Sequence, residues 1–262
     1  MNEIRNLHSV RNMLTLALAA SLLVLAGCHA RQHTTLTISA AASMKESLAE
    51  VESAYLLTHP GVDFHENYGS SGALVSQVEQ GAPVDVFLSA SSKPMNELES
   101  KGLLVAGSRS NLLRNSLVLI VPRDSRLQDL QGLTSNTVRV IALGDPASVP
   151  AGQYGRQTLV SLQLLDKIKS KIVLAKDVRQ VLAYVETGNA DAGLVYATDA
   201  MTSSKVRVVM TVPEAAHDAI VYPVAVLKGR PSEAASHQFV EFLATPAAQA
   251  IFQKHGFTVA AK

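Results

Sequence analysis

Leu36-Thr-Ile-Ser-Ala-Ala-Ala-Ser43-Met-Lys-Glu46 runs from an apolar strand pattern straight into a helix start, and Asn67-Tyr-Gly-Ser70-Ser71-Gly-Ala-Leu74 repeats the arrangement. Between them Met44, Leu48, Val51 and Tyr55 recur at helical spacing over 43–58, and Pro60-Gly61 stops that helix. Residues 62–68 then read as a strand, and 72–80 as a helix with Leu74, Val75 and Val78 inward. A strand over 84–89 and a helix over 94–101, ended by Gly102, complete the run. Short strands alternating with helices predict a mostly parallel sheet covered by helices.

The same alternation returns downstream. Residues 115–122 form a long apolar strand pattern, followed by strands over 139–143, 172–174, 192–195 and 206–211 and helices over 152–165 and 178–187. Another long strand is predicted over 220–227, then two helices with apolar faces over 232–244 and 245–255. The expected fold class is α/β with two lobes of similar build. The crossings are expected near 116–122 and 221–227. They divide the chain into lobe one (28–118 and 223–262) and lobe two (119–222).

The 262 residues suffice for such a body, and a composition of 47% hydrophobic and 17% charged residues is that of a globular protein. A formal net charge of +1 provides no basic field for nucleic acid, and the absence of Trp argues against an aromatic platform for sugars. The first 27 residues stand apart. Arg5 and Arg11 precede an apolar run, Met13 to Gly27, that is short for a membrane span. The run ends Leu25-Ala26-Gly27-Cys28, at the only cysteine of the chain. This resembles the lipobox of a bacterial lipoprotein signal peptide. The resemblance implies that residues 1–27 are removed and that Cys28 is lipidated and anchors the protein to a membrane. The alternative is an ordinary export signal with an incidental cysteine. Either reading places the protein outside the cytoplasm, in the periplasm or cell envelope, without an internal disulfide. Loss of Glu3, Arg5 and Arg11 leaves the mature body formally neutral, so an anion bound there must be held by local dipoles.

A helix start presents backbone N–H groups without intrahelical partners and carries partial positive charge, so several starts facing one space make an anion site. Ser43 and Ser71 each add an uncharged hydroxyl donor at such a start. Each also has a plainer reading. Ser43 with Glu46 three residues on forms a capping box worth about 1 kcal/mol. Gly72 after Ser71 lets backbone approach a ligand closely, but Gly69-Ser70-Ser71-Gly72 equally reads as a tight turn. Two further starts share the pattern. In Gly144-Asp-Pro-Ala-Ser-Val-Pro150-Ala151-Gly152, Pro150 and Gly152 set the Ala151 and Gly152 amides outward. In Lys176-Asp177-Val178-Arg179-Gln180, Asp177 is the expected N-cap and Gln180 completes a box. Four starts at four strand ends fit the rule that ligands of open α/β sheets gather at the strands' carboxyl ends. Tyr196, after Gly193-Leu194-Val195, either turns its hydroxyl into the cleft or is a core tyrosine.

These segments, together with Gly81-Ala-Pro-Val-Asp85-Val-Phe-Leu-Ser89-Ala and Tyr222-Pro-Val-Ala-Val226, resemble the molybdate-binding proteins of bacterial ABC transporters. The resemblance runs in order over nearly the whole mature chain. It implies a two-lobed periplasmic-binding-protein fold with two hinge crossings, and a monomeric receptor that passes molybdate or tungstate to a membrane permease. No cofactor and no enzymatic activity are implied. Carried over, the oxyanion ligands are Ser43, Ser71, Ala151, Val178 and Tyr196, with Ala151 and Val178 acting through backbone amides. Gly72-Ala73 stands where some members carry serine and threonine, which leaves Ser70 and Ser71 as alternatives for the second contact.

Molybdate and tungstate are fully ionised near neutral pH, so every oxygen accepts and none donates. A site for them should be all donors, whereas a site for phosphate gains from a carboxylate that accepts its proton. The alternatives are a receptor for another anion, such as sulfate or a small organic acid, and an exported α/β enzyme. The sequence has no Gly-x-Ser-x-Gly elbow or phosphate-binding P-loop, and Asp85 and Asp145 lack paired carboxylates nearby, which argues against hydrolysis. The eight histidines are scattered, which argues against a metal-cation site.

Overall fold

A computed structural model describes residues 33–260. The expected signal peptide over 1–27 and the expected lipidation site at Cys28 lie outside the described residues. The first alternation forms much as read: β1 (Thr34–Ala41), α1 (Lys45–Leu56), β2 (Val62–Gly69), α2 (Ser71–Glu79), β3 (Val86–Leu88) and α3 (Ser92–Ser100). After β4 (Ser110–Arg114) come β5 (Leu117–Pro122), β6 (Ile141–Gly144), α4 (Pro150–Ser161), α5 (Leu165–Ile168), β7 (Ile172–Ala175), α6 (Val178–Glu186), β8 (Ala192–Tyr196), α7 (Ala197–Ala200) and β9 (Val206–Thr211). The chain ends with β10 (Val221–Val226), α8 (Glu233–Leu243), α9 (Pro246–Lys254) and β11 (Thr258–Val259).

The strands form two sheets, ordered β11-β4-β10-β3-β1-β2 and β7-β6-β8-β5-β9. With helices on their faces they make the two-lobed α/β fold. The sheets are mixed, and apart from β11 with β4 the antiparallel pairs have a common origin. β1 and β3 are parallel, as are β6 with β7 and β8. The strands that arrive from the other sheet run the opposite way: β5 pairs antiparallel with β8 and β9, and β10 with β3 and β4. Leu117, the first residue of β5, lies opposite Tyr196, the last of β8. A crossing strand thus enters at the end where the parallel strands finish. The chain leaves the first sheet through Asn115 and Ser116 and returns between Thr211 and Val221. Leu117 and Val118 therefore pair in the second sheet, and Val221 and Tyr222 in the first.

Burial explains the sequence pattern of these strands. Leu117 to Val121 of β5 are all buried, as is every residue of β8, so both read as continuous apolar runs rather than alternations. On α1, Leu48, Val51 and Tyr55 turn inward, and the Tyr55 ring meets Phe239 and Phe242 of α8 edge-on at 5.2 and 5.1 Å. β4 and β11 were not legible as strands. Only Leu112 and Leu113 of β4 are buried, and β11 has two residues.

Candidate functional site

Strands β1, β2 and β8 end at one space, and the helix starts that follow them or their neighbours surround it. Ser43, Ser71, Ala151, Val178 and Tyr196 line a single cavity of about 10 Å³, and no charged side chain lines it. Such a volume holds about one water molecule. It is far below the roughly 300 Å³ and more of pockets that take drug-sized organic ligands.

Ser70 and Ser71 divide two roles between them. Ser70 is the N-cap of α2, and its Oγ accepts the Ala73 amide at 3.4 Å. Ser71 is fully buried, and its Oγ accepts the Ala90 amide at 3.0 Å, which leaves its proton to donate. The carbonyl of the same Ala90 accepts the Tyr196 hydroxyl at 3.4 Å, so Tyr196 reaches from the second sheet to the first. A second tie joins the lobes where the Gly72 amide donates to the Ser148 carbonyl at 3.0 Å. A Cβ on Gly72 would lie 2.6 Å from that oxygen. The glycine therefore admits a second backbone, Ser148, rather than the ligand.

Ser43 is not a cap. Ala42–Met44 form a 3₁₀ turn ahead of α1, which carries the serine away from the first helical amides, and no side-chain cap bond forms. Its Oγ instead meets the Tyr222 hydroxyl at 2.8 Å, and Asn115 Nδ2 donates to the same hydroxyl at 3.3 Å. Glu46, expected to complete the box, pairs with Arg179 across the lobes. Burial above all pushes the Tyr196 and Tyr222 phenols well above their ordinary range, so both keep their protons and remain donors. The sequence assigned no role to Tyr222 or Asn115. Their only signal is position, at the head of one crossing strand and just before the other.

The two residues expected to act through their amides sit at helix starts of ordinary build. Ala151 follows Pro150 at the second position of α4, and Val178 is the first residue of α6, where amides have no intrahelical partner. Asp177 turns back to cap α6, its Oδ1 accepting the Gln180 amide at 2.8 Å. Gln180 reaches one residue further than a capping box requires, to the Lys176 amide at 2.7 Å. A Cβ on Gly152 would lie 1.9 Å from the Gly144 carbonyl oxygen, so that glycine seats α4 on the end of β6.

Beneath Tyr196, the buried Asp199 accepts the Tyr196 amide at 3.3 Å and lies 2.8 Å from Arg179 Nε, close in distance but misaligned for a hydrogen bond. Burial pushes its carboxyl up to about 7 against the lowering effect of Arg179 and the Tyr196 amide. The other acids singled out in the sequence have structural partners. Asp85 accepts the Thr37 amide at 2.7 Å, Arg230 Nε at 3.0 Å and the Ser232 hydroxyl at 2.5 Å, and Asp145 accepts the Ala147 amide at 3.0 Å. Among the described residues no group of three or more His, Cys, Asp or Glu is placed to hold a metal ion, and no helix is long and apolar enough to cross a membrane.

Residues 36–258 match the family model described as bacterial extracellular solute-binding protein. The chain belongs to that family. It is 44% identical over 251 residues (92% of this chain, 95% of the relative) to YvgL of Bacillus subtilis (strain 168), provisionally described as an ABC transporter substrate-binding lipoprotein. It is 40% identical over 227 residues, covering 85% of this chain and 89% of the relative, to the molybdate-binding protein ModA of Haemophilus influenzae. The solved periplasmic molybdate-binding protein of Azotobacter vinelandii superposes with a TM-score of 0.78 at 28% identity, covering 86% of this chain and all of that one. The resemblance to molybdate-binding proteins read from the sequence is borne out.

Proposed function

We propose that this protein captures molybdate, and equally tungstate, between its two lobes and presents the loaded form to the permease of an ABC importer. The observation that carries the reading is the cavity lined by the five expected ligand residues and by no charge. Two hydroxyls of serine and two helix-start amides converge there for a fully ionised tetrahedral oxyanion to accept from, and Tyr196, whose hydroxyl here donates to the Ala90 carbonyl at 3.4 Å, turns that proton to the anion when one binds. Each charge-assisted bond contributes roughly 1.5–3 kcal/mol, less the cost of stripping water from the anion. No lining carboxylate stands ready to take the proton of hydrogen phosphate.

The sheets act as the two lobes in this reading, with the division a few residues from 118 and 222. Closure brings Gly72 to Ser148, Tyr196 to Ala90 and Arg179 to Glu46. The receptor works as a monomer outside the cytoplasm, held to a membrane by a lipid on Cys28. A receptor role without catalysis is supported by the three cavity serines, Ser43, Ser70 and Ser71, whose partners are a hydroxyl and backbone amides rather than a general base. Isothermal titration with molybdate, tungstate, sulfate and phosphate tests the proposal. One molybdate or tungstate per chain, with phosphate much weaker, is the expected result. No molybdate binding, or tighter phosphate binding, overturns it.

A further inference from the structure

Glu46 and Arg179 meet across the lobes, each beside one of the expected ligands. Glu46 is the second residue of α1, three residues after Ser43, and Arg179 directly follows Val178 in α6. An Nη of Arg179 pairs with the Glu46 carboxylate. The rest of the guanidinium is held within lobe two. Its Nη1 donates to Thr202 Oγ1 at 2.9 Å, and that hydroxyl gives its own proton to the Asp199 carbonyl oxygen at 2.8 Å. Its Nε lies 2.8 Å from Asp199 Oδ1. Thr202 and Asp199 travel with Arg179, so these contacts do not depend on closure. The arginine is aimed before the lobes meet, and little side-chain freedom is left to lose when Glu46 arrives. Neither Glu46 nor Arg179 lines the oxyanion cavity. By its charge alone Glu46 repels a bound anion, so any help it gives to binding must come through Arg179.

We propose that Glu46 and Arg179 are positioning residues that set how long the anion is retained, an ion-pair latch made as the lobes close. The proposal rests on the reading of the cavity as an oxyanion site between two lobes. Release requires the lobes to part and the pair to break. Capture begins with the lobes apart and the pair unmade. The latch therefore slows release and leaves capture nearly unchanged. A plainer role exists for Glu46, since a carboxylate in the first turn of α1 favours that helix through its dipole. That role would appear in the stability of the unliganded protein and not in the rate of release.

Release of radiolabelled molybdate into excess unlabelled molybdate, and the rate of its capture, provide the test. Both are measured for the wild type, Glu46→Gln, Arg179→Met and the double variant, with unliganded melting curves to confirm folding. Glu46→Gln keeps the shape of the side chain and removes its charge. It should release molybdate about three- to fivefold faster, the upper range for a partly exposed ion pair, and capture it within about twofold of the wild type. The difference in release should shrink as salt rises from about 0.01 M to about 1 M. Arg179→Met should also speed release, and adding Glu46→Gln to it should speed release no further. Release from Glu46→Gln that changes by less than about twofold, or that slows as loss of a repelling charge predicts, overturns the latch. So does a Glu46→Gln effect that persists in full without Arg179. Wild-type protein that fails to bind molybdate contradicts the receptor reading instead.

Discussion

Val178→Pro deletes one backbone N–H and little else. Val178 is the first residue of α6, the helical position where proline is best tolerated because its fixed φ suits the helix and its amide has no intrahelical partner. The preceding Asp177 is extended, with φ −158° and ψ 172°, a conformation open to a residue before proline. Its cap bond goes to Gln180 and survives. The Val178 side chain is buried, and proline fills a similar volume. What the variant lacks is the amide that the proposed function assigns to the anion. Losing one charge-assisted hydrogen bond costs roughly 1.5–3 kcal/mol, which is about 10- to 150-fold in affinity. Titration with molybdate reads that loss, and a melt without ligand shows whether the fold is intact. Val178→Ala keeps the amide and should bind within about threefold of the wild type. A folded proline variant with unchanged affinity, or an alanine variant that loses as much as the proline one, refutes the assignment of an amide ligand here.

Ser71→Ala removes an anion donor and also strands the buried Ala90 amide. It should lower the unliganded melting temperature by about 2–10 °C as well as weaken molybdate, whereas Ser43→Ala, which leaves Tyr222 with Asn115, should melt closer to the wild type. Equal melts for the two variants would contradict the hydrogen-bond assignment. Gly72→Ala places a Cβ 2.6 Å from the Ser148 carbonyl and holds the lobes apart, so molybdate affinity should fall by about tenfold or more; full affinity would show that this contact is not needed for closure. Glu52 of α1 is buried, and burial first, then the neighbouring Glu66, pushes its carboxyl from 4.5 up to about 9. The folded state therefore holds a proton that the unfolded chain has lost, and stability falls as pH rises through that window. Glu52→Gln should raise the melting temperature at about pH 8 and leave it unchanged near about pH 4; parallel pH profiles would contradict the shift.

The strand–helix alternation was legible because each lobe buries apolar residues at strand or helix period, from Leu36 and Ile38 in β1 to Val181 and Val185 in α6. The helix starts that frame the cavity were equally legible, since N-caps such as Asp177 and the Pro150 entry are local signals. What stayed hidden was set by partners distant in the chain. The Ser43-to-Glu46 spacing is a sound capping pattern. It lost to Tyr222, which lies 179 residues away in sequence and supplies the hydroxyl that Ser43 meets. Gly72 read as a place for ligand approach, because nothing local announces that the Ser148 backbone fills that space. The antiparallel entry of β5 and β10 follows from which end of the sheets the crossings join, and local periodicity carries no strand direction.

The most direct test of the account is the position of a heavy oxyanion in the protein. A crystal of the tungstate complex, examined by anomalous scattering from tungsten, should show one site per chain in the cavity between the sheets. Its oxygens should lie at about 3 Å from the Ser43 and Ser71 hydroxyls, the Ala151 and Val178 amides and the Tyr196 hydroxyl. A tungsten site elsewhere, for instance in the wider cleft beside Lys93 and Arg156, or one held by a charged side chain, would contradict it.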